Sequence, residues 1–125
     1  MADPGDIIPY DLSGCANGVP LLVTATNAGA SQTVDTAVTG TTDRDYYHVW
    51  ACNTHTADVD VTFLLGGTTE PDNIICGPLT LMAKSGVNIV LDGEFANNAK
   101  VLRVYASIGS EVTVTGYKNR RTGGD

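Results

Sequence analysis

Positive charge is scarce in this sequence. Its 125 residues hold seven Lys and Arg against fourteen Asp and Glu, a net charge of −7. Phosphate backbones are gripped by clustered Lys and Arg, so this balance argues against a nucleic-acid partner. Residues 1–43 have no Lys or Arg at all, yet carry Asp3, Asp6, Asp11, Asp35 and Asp43. Long apolar runs are also missing: none approaches the roughly 20 residues that cross a bilayer, so no membrane partner is expected. "MADPGDIIPYDL" lacks the basic start and apolar core of a signal peptide. The chain therefore reads as a cytosolic product with reduced thiols, and its three cysteines are an odd number that excludes complete internal pairing. No window carries a helical stripe longer than a turn or two, "GEFANNAKVL" being the sole candidate. Internal repeats and low-complexity tracts are absent.

What is present suits strands. The length fits one domain, and a chain of this size can bury enough surface to fold without a metal or disulfide. Fourteen glycines and frequent threonine favour strands and tight turns. Short apolar runs alternate with turn signals: Val19–Thr26, Gln32–Thr39, Tyr46–Asn53, Ala57–Leu65, Asn73–Ala83, Val87–Asp92, Lys100–Ser107 and Glu111–Lys118. The Asn73–Ala83 run reads as two pieces broken at Gly77-Pro78. Period-2 alternation places Val59, Val61, Phe63, Leu65, Val87, Ile89, Leu91, Val112 and Val114 in the core. The expectation is all-β: a single sandwich of about eight short antiparallel strands, either jelly-roll or immunoglobulin-like. Its divisions are an extended N-terminal arm (1–18), the sandwich (19–118) and a polar basic tail (119–125).

The candidate chemistry concentrates in "YYHVWACNTH", which holds both histidines, the one tryptophan and Cys52. On a strand, Tyr46, His48, Trp50 and Cys52 share one side. His48 and Cys52 would lie roughly 13 Å apart along it, too far to share a zinc ion or act as nucleophile and base. His55 follows in the turn and leaves any Cys52 pair two ligands short. No metal site, cofactor or catalytic group is therefore expected. Cys76 reads as a small buried apolar residue. Cys15 is the cysteine expected at the surface, where it could link to another subunit. Asp58 and Asp60 would stand about 6–7 Å apart on one strand face, within reach of acid/base pairing, but that face is normally solvent. Glu70 with Asp72 and Asp92 with Glu94 flank turns without a recognisable calcium pattern. "LLGGTT" lacks the lysine and helix of a phosphate loop and reads as a hairpin turn. Tyr46, Tyr47, Trp50, Tyr105 and Tyr117 could form a sugar-stacking platform, although a mid-strand Trp is more often core or interface.

From "DRDYYHVWACNTHTADVDVTFLLGGTT", through "SGVNIVLDGEFANNAKVLRVYAS", to the "EVTVTGYKNRR" ending, the chain resembles small β-sandwich structural proteins of tailed bacteriophages. The similarity covers residues 43–121. It implies a non-enzymatic virion component, assembled in the host cytoplasm in many copies. A capsid decoration (cement) protein bound to the major capsid protein is the nearest role; neck, tail and baseplate subunits use similar sandwiches. Two other classes stay open. A carbohydrate-binding module would need Trp50 and a tyrosine exposed together, and an enzyme would need a pocket gathering Asp58 and Asp60. The arm's apolar knot, Ile7, Ile8 and Tyr10, has to pack on its own domain or a neighbour's. Asp3, Asp6 and Asp11 around it complement Lys118, Arg120 and Arg121. Asp3, Asp6, Ile7, Ile8, Tyr10, Lys118, Arg120 and Arg121 are the expected subunit interface of a homo-oligomer. Deleting residues 1–12 is expected to abolish assembly and leave the sandwich folded.

Overall fold

Two antiparallel sheets face each other in the computed structural model, which describes residues 6–123; Asp3 of the expected interface lies outside that range. The strands are β1 (Ile7–Asp11), β2 (Leu21–Val23), β3 (Gln32–Thr36), β4 (Arg44–Asn53), β5 (Val59–Leu65), β6 (Ile74–Leu81), β7 (Asn88–Ala96), β8 (Val101–Ala106) and β9 (Val112–Arg121). The first sheet runs β1-β9-β4-β7, with β2 also on β9; the second runs β3-β8-β5-β6. Along one edge of β9, β1 pairs with Tyr117–Arg121 and β2 with Val112–Val114. The pairs are nested: β1 and β2 with β9, β3 with β8, β4 with β7, β5 with β6. Nested antiparallel pairs divided between two sheets in this order make a jelly roll. That wiring resolves the choice with the immunoglobulin-like alternative. "GEFANNAKVL" is the end of β7, a turn and the start of β8.

The core sits between the sheets. Val23, Val34, Tyr47, Val49, Val59, Val61, Phe63, Leu81, Leu102, Val104, Val112 and Val114 are wholly buried there. The expected core residues Val59, Val61, Phe63, Leu91, Val112 and Val114 are inside, and Leu65 packs against them half-buried. Val87 and Ile89 are not: they are 71% and 68% exposed. The reason is a bulge. Val49 faces Leu91 while Trp50 faces Ile89, so Val90 is an extra residue on β7 and the side-chain alternation changes phase there. A second bulge carries β6 past Gly77-Pro78 as one continuous strand, not two pieces. Gly77 has φ +120° there, and a Cβ would meet the Val61 carbonyl oxygen at 2.6 Å.

The expected arm is largely part of the sandwich. Ile7–Asp11 is the edge strand β1, and Leu12 and Cys15 behind it are wholly buried. Cys15 is thus a core residue; its thiol donates to the Val114 carbonyl oxygen at 3.3 Å, and burial pushes its pKa up. The expected basic tail likewise continues β9 as far as Arg121. The acidic front and the basic end do meet, within one chain.

Candidate functional site

β4 is a ten-residue strand with strict alternation. Asp45, Tyr47, Val49, Ala51 and Asn53 point inward, while Arg44, Tyr46, His48, Trp50 and Cys52 lie half-buried on the outer face of the first sheet. Register brings other rings alongside. His48 pairs with Tyr117 of β9, and their rings stack at 4.9 Å and 17°. The Trp50 edge meets Tyr117 at 6.2 Å and 72°. Tyr46 opposes Phe95 of β7, with ring centroids 6.1 Å apart, and the Arg44 guanidinium lies 4.6 Å above the Phe95 ring. Tyr117, Phe95, Ile89 and Ile7 all remain exposed. A shallow pocket of about 380 Å³ opens among Ile7, Tyr46, His48, Gly93, Asn119 and Arg121. β4 and β9 approach closely because Gly116 carries no side chain; a Cβ there would collide with the His48 carbonyl oxygen.

The polar groups singled out in the sequence do not converge. His48 Nδ1 lies 3.3 Å from Asp92 Oδ1, while His55 Nδ1 lies 3.5 Å from Glu111 Oε1. Asp58 accepts the Ala83 N–H at 2.9 Å, and Asp60 accepts the Thr80 hydroxyl at 2.7 Å. Glu70 accepts the Tyr105 hydroxyl at 2.8 Å, and Glu94 accepts the Asp92 N–H at 2.7 Å. Each of these carboxylates ties neighbouring backbone or strands together. Among the described residues, no three His, Cys, Asp or Glu side chains gather where they could hold a metal ion. Cys52 and Cys76 are half-buried, and burial raises the Cys76 pKa.

Of the expected interface residues, Ile7 and Tyr10 are exposed, Ile8 is half-buried and Arg121 is exposed. The other two cations are structural. Lys118 falls on the inward parity of β9, with Val112 and Val114, and is 5% exposed. Its ammonium donates to Asp35 Oδ2 at 2.6 Å and to the Thr36 carbonyl at 3.2 Å, and it lies 3.0 Å from Asp45 Oδ2. Arg120 grips Asp45 with two bonds, 2.7 Å from Nε and 3.1 Å from the terminal nitrogen. Its guanidinium also covers the Tyr10 ring at 4.4 Å. Asp45 accepts the Val38 N–H as well. Asp35 receives the Tyr47 hydroxyl at 2.6 Å on Oδ2 and the Ser13 N–H at 2.8 Å on Oδ1.

This cluster joins β3 of the second sheet to β4 and β9 of the first. Burial alone would raise the Asp45 carboxyl, but the bonds from Arg120 and Lys118 outweigh it and hold it below the usual carboxylate range. Burial and the Asp35 carboxylate push the Tyr47 hydroxyl far up, so it stays a donor. Sequence reasoning missed the cluster. The signal was present in the alternation: the period that buries Val112 and Val114 also places Lys118 inside, and the one that buries Val49 also places Asp45 and Tyr47 inside.

No protein-family model and no curated protein matches the chain. Among solved structures, a similar one is titled "Structure of Eiger TNF from S. frugiperda". It is 14% identical, with 98% of this chain and 90% of that chain covered, at a TM-score of 0.33. A likeness of that size carries no functional argument.

Proposed function

We propose that the chain is a non-enzymatic structural subunit of a tailed-bacteriophage virion, a capsid decoration protein that assembles through the outer face of its first sheet. The observation that carries this reading is the aromatic face itself. Tyr46, His48, Trp50, Phe95 and Tyr117 lie side by side on the outer face of the first sheet, and Ile7 and Ile89 stand in solvent nearby. Contiguous exposed apolar surface of this kind marks association, and Tyr, Trp and Arg are the residues that dominate such contacts. The resemblance of residues 43–121 to phage sandwich proteins supports the same reading. Jelly rolls also serve as capsid domains, although fold by itself assigns no function. The partners are further copies of this chain and the major capsid protein, without nucleic acid or membrane, and the protein's place is the virion, assembled in the host cytoplasm. No described helix is long and apolar enough to cross a membrane.

Quantitative mass spectrometry of virions purified from the host that carries the gene tests the proposal. A decoration protein is present in proportion to the major capsid protein, whereas a neck, tail or baseplate subunit is present in a few copies. Its absence from the particles would refute the virion reading.

One observation favours a second class. Trp50 and Tyr117 share one face, edge to face, with His48 stacked beside Tyr117; Tyr117 is exposed and Trp50 half-buried. Because Trp50 is the only tryptophan, its fluorescence reports any saccharide that stacks there. Saturable quenching by a glycan panel, lost in Tyr117→Ala, would favour the carbohydrate-binding module over assembly.

A further inference from the structure

The interior cluster brings an amine, a carboxyl carbon and a second carboxylate together away from water. Lys118 Nζ lies 2.6 Å from Asp35 Oδ2 and 3.0 Å from Asp45 Oδ2. The Lys118, Asp35 and Asp45 side chains are 6%, 1% and 0% exposed. From this geometry we propose that Lys118 and Asp35 condense into an intramolecular isopeptide bond, with Asp45 relaying the protons.

In the first step Lys118 passes one ammonium proton to Asp35 Oδ2, 2.6 Å away, and becomes a free amine. The amine nitrogen then attacks Asp35 Cγ. Fixed proximity replaces the entropic cost that makes amide formation slow between free molecules. Negative charge developing on Asp35 Oδ1 is met by the Ser13 N–H, which already donates to that oxygen at 2.8 Å. The other oxygen, Oδ2, is the leaving group and already receives the Tyr47 hydroxyl at 2.6 Å. A second nitrogen proton passes by way of Asp45 to Oδ2, the Cγ–Oδ2 bond breaks, and water departs. The water carries Oδ2 and both transferred protons; the remaining proton stays on the amide nitrogen. No oxidant, reductant or co-reactant enters. Arg120 holds Asp45 by its bidentate pair, so the relay stays in position and charged when the step begins. The bond would staple β3 of one sheet to β9 of the other, across 83 positions of sequence. This inference is independent of the proposed virion role.

The test is intact-mass spectrometry of the purified full chain after denaturation, followed by a protease digest. The expected mass is lower than that of the sequence by one water, with a linked peptide joining the segments that hold Asp35 and Lys118. The denatured chain, closed into a loop, should also run faster on a denaturing gel than the Asp45→Asn variant. Asp45→Asn keeps the side chain's shape, and circular dichroism checks its folding. It should show the full mass and no linked peptide. A wild-type chain that folds but keeps the full sequence mass after prolonged incubation overturns the proposal. An Asp45→Asn chain that links as fast as wild type overturns the role given to Asp45.

Discussion

Lys118, Arg120 and Arg121 are close neighbours on β9, yet their charges do different things. Arg121 is exposed, and its reversal to Glu should change stability by no more than about 0.5 kcal/mol in denaturant melts. Arg120→Ala takes both guanidinium bonds from a wholly buried carboxylate and should cost about 3–5 kcal/mol in the same assay. Lys118→Glu would add a third buried carboxylate to Asp35 and Asp45 and should leave little folded protein. Salt-dependent weakening of assembly is therefore a fair expectation for Arg121 alone. The cluster also sets a pH dependence. Asp45 titrates at about 3.8 in an unfolded chain and lower in the fold, so the unfolded state takes up its proton first as pH falls. Its contribution is present above that value and disappears as pH drops through the folded pKa. Acid titration of stability should show wild type losing this increment below the unfolded value, while Asp45→Asn lacks it throughout. The cations at the chain's end and the aspartates before residue 46 were plain in the sequence. Their pairing was not, because Lys118 and Asp35 are brought together only by the packing of one sheet on the other.

Alternation made the strands legible, and bulges limited how far it could be extended. β5 and the first half of β9 keep their period, so Val59, Val61, Phe63, Val112 and Val114 were placed correctly from sequence. β7 does not, because Val90 is inserted between the pairs Val49–Leu91 and Trp50–Ile89. A bulge leaves no compositional mark in "VNIVLD". Substitution should separate the two faces: Phe63→Ala and Leu91→Ala should cost about 3–5 and 2–5 kcal/mol, against under about 0.5 kcal/mol for Ile89→Ala. Equal losses at Leu91 and Ile89 in chemical denaturation would contradict the bulge. β1 changes an expectation in the same way. Deleting residues 1–12 removes an edge strand and the wholly buried Leu12, so the truncated chain should melt at clearly lower temperature. An unchanged melting temperature would mean that β1 adds nothing to the fold.

For the whole molecule, strand count and fold class could be read from turn spacing. Strand order could not, since no local signal says that β9 lies between β1 and β4. That order decides the site: it places Tyr117 against His48 and Trp50, and Arg121 beside Ile7, on one outer face. The proposed assembly uses this face. Light scattering of the purified protein, with and without the paired changes Trp50→Glu and Tyr117→Glu, tests it most directly. Both side chains lie on the outer face, so circular dichroism should show the β signal kept in the variant. Wild type should scatter as a multiple of the 13.0 kDa chain and the variant as a single chain. A wild type that stays monomeric at high concentration, or a folded variant that assembles as well as wild type, would mean that this face does not drive assembly.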